Sequence, residues 1–244
     1  NVLILGGAGP MGLGAVEYPL YGGNRPSRIV VTDVDDGRLE RAARIIPPEL
    51  AKKQGVELHY VNPRHSPDQY AMLLDITGGG GFDDVFVYAP IKELAEMGDK
   101  LMAFDGCLNF FAGPQDKNFS AMINLYNCHY TSTHLLGSTG GNTADLKEAL
   151  DLSSQNKLRP AVMVTHISGL DAVANAVSHL PELRAGKILT YTHINMPLTA
   201  IADFEKLGGK DPLFAALHKS CESHQDLWNA EAEKILLNHF GAIA

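Results

Sequence analysis

The first twelve residues constrain the fold of this chain more than any other segment. An apolar run, Val2–Leu5, leads directly into a turn in which Gly7, Gly9 and Gly12 fit the pattern G-x-G-x-x-G. Between a strand and a helix, this pattern lets the backbone approach a pyrophosphate and lets the helix pack closely on the strand. Pro10 stands where the helix would begin, and there its missing N–H costs nothing. The segment therefore predicts a buried parallel strand followed by a phosphate-binding helix start.

A second apolar run carries an acidic residue in the place that a dinucleotide site requires. Arg28 to Thr32 reads as a strand that ends in Asp33, about twenty residues after the last glycine of the turn. An acid there binds the adenosine ribose hydroxyls, and its charge repels a 2′-phosphate, which favours NAD. Arg38 follows five residues later. It stacks on adenine or accommodates the extra phosphate of NADP in one interpretation, and is a solvated helix residue in the other.

Strand-like and helix-like segments alternate along the first part of the chain. The predicted strands are Val2–Leu5, Ile29–Asp33, Glu57–Val61, Asp84–Tyr88, Cys107–Phe111 and Thr131–Leu136. The predicted helices are Pro10–Tyr21, Gly37–Ile46, Pro67–Thr77, Ile91–Lys100, Phe119–Leu125 and Asn142–Ser154, the last with Asn142 or Thr143 as its cap. Such alternation is typical of a parallel sheet that is covered by helices on both faces.

The predicted fold class is therefore α/β, a Rossmann doubly wound six-stranded parallel sheet with a mostly helical C-terminal extension. We expect residues 1–160 to form an NAD(P)-binding domain and residues 161–244 to form a C-terminal segment that ends in a helical tail.

Composition and charge exclude several classes of protein. The net charge of −8 argues against a general binder of nucleic acid or of anionic membranes. Cys107, Cys128 and Cys221 are widely spaced, which favours a reducing compartment and predicts a cytoplasmic protein. No apolar run is long enough to cross a bilayer.

Several motifs together resemble the medium-chain dehydrogenase/reductase superfamily of zinc alcohol and polyol dehydrogenases. They are spread over most of the chain, from residue 2 to about residue 191: the glycine turn Gly7–Gly12, Thr32–Asp33 with Arg38, His134–Ser138 with Asp145, Lys157–Pro160 with Val164–His166, Leu170 with Ala172 and Ala176, and Gly186–Ile188. The segment beyond about Met196 departs from the common pattern of the superfamily. The whole chain therefore most resembles the sugar-phosphate branch of the superfamily, and this resemblance implies L-sorbose 1-phosphate as the substrate. Another zinc-type alcohol, sorbitol or threonine dehydrogenase is the alternative.

The resemblance also implies where catalysis takes place. Asn1 leads straight into the first strand, so we expect the chain to be the C-terminal portion of a longer protein. The zinc ligands and most of the substrate pocket would lie in a preceding GroES-like domain. This chain would then bind NAD or NADP, hold no catalytic residue or metal of its own, and be inactive alone. Zinc would be bound only by the longer parent protein.

The resemblance assigns thirteen cofactor-binding residues. Those at the pyrophosphate are Gly7, Gly9, Pro10, Met11 and Gly12, and those at the adenosine ribose are Asp33 and Arg38. Those on the nicotinamide side follow three strands and are Ala89, Pro90, Ala112, Gly113, Leu136 and Gly137. Plain packing at strand ends explains the residues on the nicotinamide side about equally well. Arg64 is a candidate contact for a substrate phosphate.

Two motifs have simpler explanations than catalysis. Tyr88 and Lys92 spell the Y-x-x-x-K pair of short-chain dehydrogenases, but Pro90 between them argues against the shared helix face that this pair needs. His218, Cys221 and His224 recur at helical spacing without an obvious fourth ligand, so surface and packing roles are favoured over a metal site.

Two other functions and one assembly stay open. An S-adenosylmethionine-dependent methyltransferase also has a glycine-rich first turn and an acid after its second strand, but it does not explain the motifs after residue 130. A non-catalytic NAD(H) sensor would bind the dinucleotide without an electrophile. Family members often dimerise through the sixth strand, so a homodimer at the Thr131–Leu136 edge is a further hypothesis. The partners expected are a small-molecule polyol or sugar phosphate, with no nucleic acid and no membrane.

Overall fold

The chain folds into two compact units, Asn1–Leu158 and Arg159–Ala244. The computed structural model describes residues 1–180, 182–183 and 185–241. Each unit contains a sheet of its own and an apolar core of its own. Within the described residues, no helix combines the length and apolar character needed to cross a membrane.

The first unit is built on a six-stranded parallel sheet. Its strands are β1 (Val2–Leu5), β2 (Arg28–Thr32), β3 (Glu57–Val61), β4 (Phe82–Val87), β5 (Met102–Phe110) and β6 (His134–Gly137). Their order across the sheet is β3-β2-β1-β4-β5-β6, and every neighbouring pair is parallel. This is the order of a doubly wound dinucleotide-binding sheet, so the predicted fold class is confirmed.

Helices connect these strands, and one more follows the last strand. They are α1 (Pro10–Tyr21), α2 (Asp36–Ile45), α3 (Pro48–Lys53), α4 (Gln69–Ile76), α5 (Lys92–Leu101), α6 (Leu125–Tyr130) and α7 (Thr143–Ser154). The order of the strands reverses between β1 and β4, and in sheets of this kind ligands bind beyond the carboxyl ends of the strands at that point. The loops after β1, β2 and β4 are therefore the expected position of a ligand site.

The central strands form because their residues are apolar on both faces. All four residues of β1 are buried, and so are the last four of β2. A parallel sheet covered on both sides requires such continuous apolar runs. The predicted bounds of β1, α1 and β3 are those observed.

The predicted helix at Phe119–Leu125 is wrong. The helix begins instead at Leu125 and ends at Tyr130, after Asn124 has capped it by accepting from the N–H groups of Tyr126 and Asn127. The preceding segment is held by α5: the N–H of Met122 donates to Glu96 at 2.9 Å, and the N–H of Asn124 donates to Asp99 at 3.0 Å. Two backbone N–H groups of the predicted helix thus bond to side chains of α5, and a prediction from local helical preference cannot include such tertiary bonds.

Other differences from the sequence-based bounds are smaller. The short helix α3 was not predicted, β5 begins five residues before the predicted Cys107, and β6 runs from His134 to Gly137 where Thr131–Leu136 was expected. Helix α7 begins at Thr143 and is capped by Asn142, one of the two caps predicted. The side chain of Asn142 accepts from the N–H of Ala144 at 2.7 Å, and Asp145 accepts from the N–H of Asn142, which makes a capping box.

The second unit combines a small sheet with helices. Its strands are β7 (Val164–Gly169), β8 (Lys187–Tyr191) and β9 (Thr199–Ala200), in the order β8-β7-β9. The helices of this unit lie mainly beyond this sheet, as predicted for the C-terminal extension. Its helices are α8 (Val173–Ser178), α9 (Phe204–Gly208), α10 (Pro212–Ser223) and α11 (Ala230–His239). The residues beyond Met196 pack on Ile167 and Tyr191 of this sheet, so they contribute to a core of their own unit.

A buried hydrogen-bonded group ties this second core together. Tyr191 is 8% exposed, and its hydroxyl donates to Glu233 at 2.6 Å while it accepts from the indole N–H of Trp228 at 2.9 Å. Burial and the bond to Glu233 raise the pKa of Tyr191 well above its usual value. The hydroxyl therefore stays protonated at neutral pH and joins β8 to α11.

We expect Tyr191→Phe to lower the free energy of unfolding of the second unit by about 1–3 kcal/mol, because the buried indole N–H loses its acceptor. Trp228 is the single tryptophan of the chain, so its fluorescence during urea unfolding reports on this unit. Ser178→Ala, which removes an exposed hydroxyl from the same unit, is the control and should change stability by less than about 0.5 kcal/mol. Equal unfolding midpoints for the two variants would contradict the role given to Tyr191.

Candidate functional site

A cavity of about 480 Å³ lies beyond the carboxyl ends of the strands of the first unit. That volume is in the range of small-molecule and cofactor sites. The loops after β1, β2, β3 and β4 all contribute to its wall. Its lining residues are Gly6, Gly9, Pro10, Met11, Gly12, Thr32, Asp33, Val34, Arg38, Pro63, Arg64, Gln69, Tyr88, Ala89, Pro90, Ile91, Leu94 and Met97.

The start of α1 forms one wall of this cavity and presents backbone donors. Pro10 occupies the first helical position, and Gly9 before it has no side chain with which to cap the helix. The first bond within the helix runs from the N–H of Leu13 to the carbonyl of Gly9 at 3.0 Å, so the N–H groups of Met11 and Gly12 precede the helical ladder. The first turn of α1 contains no acidic residue that would compete for its positive end. The arrangement suits a bound anion.

Gly9 and Gly12 are required in the turn for different physical reasons. A Cβ built on Gly12 would lie 2.1 Å from the carbonyl oxygen of Gly7 and 2.6 Å from its Cα, so only glycine lets α1 approach the turn this closely. A Cβ built on Gly9 would meet nothing within 4 Å, which leaves open space in front of the backbone. Gly12 thus serves packing, and Gly9 keeps the cavity side of the turn clear for a ligand.

Asp33 supplies a carboxylate at the end of β2. It is 7% exposed, lines the cavity, and accepts at Oδ1 from the N–H of Asp35 at 3.1 Å. Its own N–H donates to the carbonyl of Val61 at 3.3 Å, which joins the ends of β2 and β3. The carboxylate is therefore fixed by backbone contacts at the cavity wall, where it is placed to accept hydrogen bonds from a ligand.

The loops after β2 and β3 are joined by side chains. Asn62 donates through Nδ2 to Asp36 at 2.8 Å and to the carbonyl of Val34 at 3.3 Å. His65 lies 3.3 Å from the same carboxylate of Asp36. Asn62 also accepts at Oδ1 from the N–H of Arg64 at 3.0 Å. These contacts hold Arg64 beside the strand end that carries Asp33.

The structure brings together eight of the thirteen predicted cofactor-binding residues. Gly9, Pro10, Met11, Gly12, Asp33, Arg38, Ala89 and Pro90 all line the cavity. Gly7 is buried beneath the turn and is absent from the lining.

Four predicted residues follow the neighbouring strands and lie outside this lining: Ala112, Gly113, Leu136 and Gly137. Ala112 and Gly113 follow β5, and the N–H of Ala112 donates to the carbonyl of Val87 at 3.0 Å. Leu136 and Gly137 are the last two residues of β6, and both are exposed. All four are at the same edge of the sheet as the cavity, because the strands are parallel.

Sequence reasoning missed several lining residues. Gly6 has a φ of +68° and makes the sharp exit from β1, a role that only the first glycine of the doublet fills. Tyr88 follows β4 and its ring packs against Phe111 with centroids 4.8 Å apart. Val34 and Pro63 are further examples, on the loops after β2 and β3. Their position at or just after the ends of predicted strands was the available signal, and the order of the strands supplied the rest.

Neither the Y-x-x-x-K motif nor the His218, Cys221 and His224 group forms a site in the structure. Tyr88 precedes α5 whereas Lys92 begins it, so the two side chains do not share a helix face. Among residues 1–180, 182–183 and 185–241, no group of three or more His, Cys, Asp or Glu is arranged to hold a metal ion. His218, Cys221 and His224 belong to α10 and its C-cap. Burial raises the pKa of the Cys221 thiol to about 11, so this cysteine is a protonated packing residue.

Comparison with known proteins identifies the family of this chain. A model described as "zinc-binding dehydrogenase" matches residues 10–155. Mannitol-1-phosphate 5-dehydrogenase of Aliivibrio fischeri is 45% identical over 98% of this chain and 57% of its own length. L-sorbose 1-phosphate reductase of Klebsiella pneumoniae is 43% identical over 98% of this chain and 55% of its own length. The chain thus spans little more than half the length of these relatives.

A solved structure shows the same fold at low sequence identity. An alcohol dehydrogenase of Escherichia coli CFT073, in complex with the cofactor NADH, superposes with a TM-score of 0.59. The match has 21% identity and covers 78% of this chain and 52% of that one. The likeness supports the architecture of the strands and helices described above.

We expect Gly12→Ala to destabilise the first unit by about 1–3 kcal/mol or more, because the added methyl group meets backbone atoms that cannot move aside alone. Urea unfolding followed by far-ultraviolet circular dichroism measures this loss. Gly23→Ala is the matched control, since a Cβ there would meet nothing within 4 Å. A midpoint for Gly12→Ala equal to that of the control would refute the close packing assigned to Gly12.

Proposed function

Because the chain belongs to the zinc-binding dehydrogenase family, we propose that its first unit binds NAD(H) or NADP(H) for hydride transfer to or from a polyol or sugar phosphate. Residues 1–160 are the proposed nucleotide-binding domain. The observation that carries the proposal is a single cavity with an uncapped helix start on one wall and the fixed carboxylate of Asp33 on another. A dinucleotide needs both features, one for its pyrophosphate and one for its adenosine ribose.

The proposed pyrophosphate site is the start of α1. The N–H groups of Met11 and Gly12 point out of the helix end and donate to phosphate oxygens, and the positive end of the helix dipole favours the negative charge. Gly9 leaves room for the phosphates to reach the backbone. These are interactions with the backbone, so they hold the cofactor without any charged side chain at the turn.

The proposed adenosine site is at the ends of β2 and β3. The Asp33 carboxylate accepts from the ribose hydroxyls, and Val34 and Pro63 offer apolar surface to the adenine ring. The buried Asp33 carboxylate accepts one hydrogen bond from the N–H of Asp35 and has capacity for more, so two ribose hydroxyl donors would stabilise it. The loops that carry these residues are joined by Asn62 before the ligand binds.

The nicotinamide half extends in this proposal toward β4, β5 and β6. Ala89 and Pro90 begin its path, and Ala112, Gly113, Leu136 and Gly137 are proposed to face the nicotinamide. Bound nicotinamide supplies the hydride chemistry. The chain's own part is to hold the ring at the strand ends and to keep the dinucleotide extended between its two anchors.

The proposed substrate class comes from the relatives. Mannitol-1-phosphate 5-dehydrogenase and L-sorbose 1-phosphate reductase act, by their names, on phosphorylated sugars or polyols. We propose a substrate of the same class, with L-sorbose 1-phosphate as the first candidate. Oxidation of NADH on addition of that compound, in a protein that also contains the part of the relatives' length outside this match, is the readout.

Zinc enters this proposal only through the parent protein. The described residues offer no ligand set, so no step of the proposal passes through the metal. A cytoplasmic location, expected from three free cysteines, stays a prediction.

We expect the chain to bind NADH, and Asp33→Asn to weaken that binding about 10-fold or more, because the amide replaces a charged acceptor at the ribose. Isothermal titration calorimetry measures both affinities. Asp75→Asn removes the same charge from an exposed position on α4 and should leave the affinity unchanged. Binding of S-adenosylmethionine without NADH or NADPH would instead favour the methyltransferase alternative.

A homodimer through β6 is the proposed assembly. This strand is at one edge of the sheet, and all four of its residues are exposed. Leu135 is 49% and Leu136 is 55% exposed, and Tyr126 and Tyr130 of α6 add further exposed apolar surface. An uncovered apolar edge strand is suited to pairing with a second copy of itself.

Light scattering should give twice the chain mass of 26.3 kDa, and Leu135→Asp should shift the protein toward the monomer, because the charge would be buried in the paired edge. Leu170→Asp is the control, since Leu170 is 53% exposed in the second unit. A monomeric mass for the unmodified chain at high concentration would count against the assembly.

A further inference from the structure

We propose that Arg64 is a second determinant of cofactor specificity, which raises the affinity of the site for NADPH relative to NADH by pairing with the adenosine 2′-phosphate. The inference rests on the proposed dinucleotide site and names a residue that the glycine-turn and strand-end motifs do not include.

Three charged side chains line the cavity: Asp33, Arg38 and Arg64. Two of them are cations and one is a carboxylate, and the carboxylates of Asp35 and Asp36 lie close by outside the lining. NAD offers two neutral ribose hydroxyls at this end, and Asp33 satisfies them. The Asp33 carboxylate alone would repel a 2′-phosphate, so a bound 2′-phosphate needs an uncommitted cation at the same end.

The acidic residues nearby are already engaged. Asp35 caps α2 through the N–H of Arg38 at 3.1 Å, and its other oxygen lies 4.0 Å from the Arg38 guanidinium. Asp36 accepts from Asn62 and lies 3.3 Å from His65. The guanidinium of Arg64, in contrast, has no hydrogen-bond or ion-pair partner among the described residues. Of the two lining arginines, it is the one with its donors uncommitted.

The backbone of Arg64 is nevertheless held in place. Its N–H donates to Asn62, which in turn bonds to Val34 and Asp36 on the β2 loop. Asn62 is 8% exposed, so this connection is shielded from solvent. The guanidinium therefore projects from a fixed point in the turn after β3, the strand next to β2, and Asp33 directly follows β2. An arginine in that position can bind a ribose 2′-phosphate through two parallel hydrogen bonds.

The test compares NADPH with NADH, and 2′,5′-ADP with AMP, by calorimetry on the unmodified chain and on Arg64→Gln. We expect Arg64→Gln to weaken NADPH and 2′,5′-ADP about 10-fold, with less than a twofold change for NADH and AMP. Arg64→Lys keeps the charge and should retain part of the preference. The Arg64-dependent difference should also shrink at high salt.

Arg25→Gln is the matched control, because Arg25 is exposed, lies outside the cavity lining and donates only to the carbonyl of Gln54 at 3.4 Å. Equal weakening of NADH and NADPH in Arg64→Gln would overturn the inference, because it would indicate adenine stacking, and would leave the proposed function intact. Failure of the unmodified chain to bind 2′,5′-ADP or NADPH, while it binds NADH, would also overturn it. Binding of neither dinucleotide would overturn the proposed function itself.

Discussion

The close approach of helix α1 to the turn after β1 is the constraint on which the first unit depends. It brings the helix start to the edge of the sheet, where its free N–H groups face the cavity. Gly12 makes the approach possible, because its missing Cβ leaves space for the backbone of Gly7. The same contact therefore serves the fold and the candidate site, since a helix held farther away would lose both its packing and its position over the ligand.

The adenosine end of the site depends on the pairing of β2 with β3. The carboxylate of Asp33 is fixed by the N–H of Asp35, and its backbone is fixed by the carbonyl of Val61. Asn62 extends this connection beyond the strands. A rigid pair of loops suits specificity, because charges that are held in place need no reorganisation when a ligand arrives.

The sequence predicted the elements that depend on local pattern. Val2–Leu5 is an uninterrupted apolar run, and Pro10 marks the start of α1, so the bounds of both were correct. The helix expected at Phe119–Leu125 was wrong because Glu96 and Asp99 of α5 take the N–H groups of Met122 and Asn124. Asp33 could be predicted as a site residue from its spacing to the glycine turn. Arg64 could not be placed beside it, because only the order of the sheet shows that β3 adjoins β2.

The central claim is that one cavity holds an extended dinucleotide between the start of α1 and the end of β2. A crystal structure of the chain with bound NADH tests it most directly. The account predicts pyrophosphate oxygens within hydrogen-bond distance of the N–H groups of Met11 and Gly12, and the adenosine ribose hydroxyls on the carboxylate of Asp33. A nucleotide bound elsewhere, or bound with its phosphates away from α1, would contradict the account.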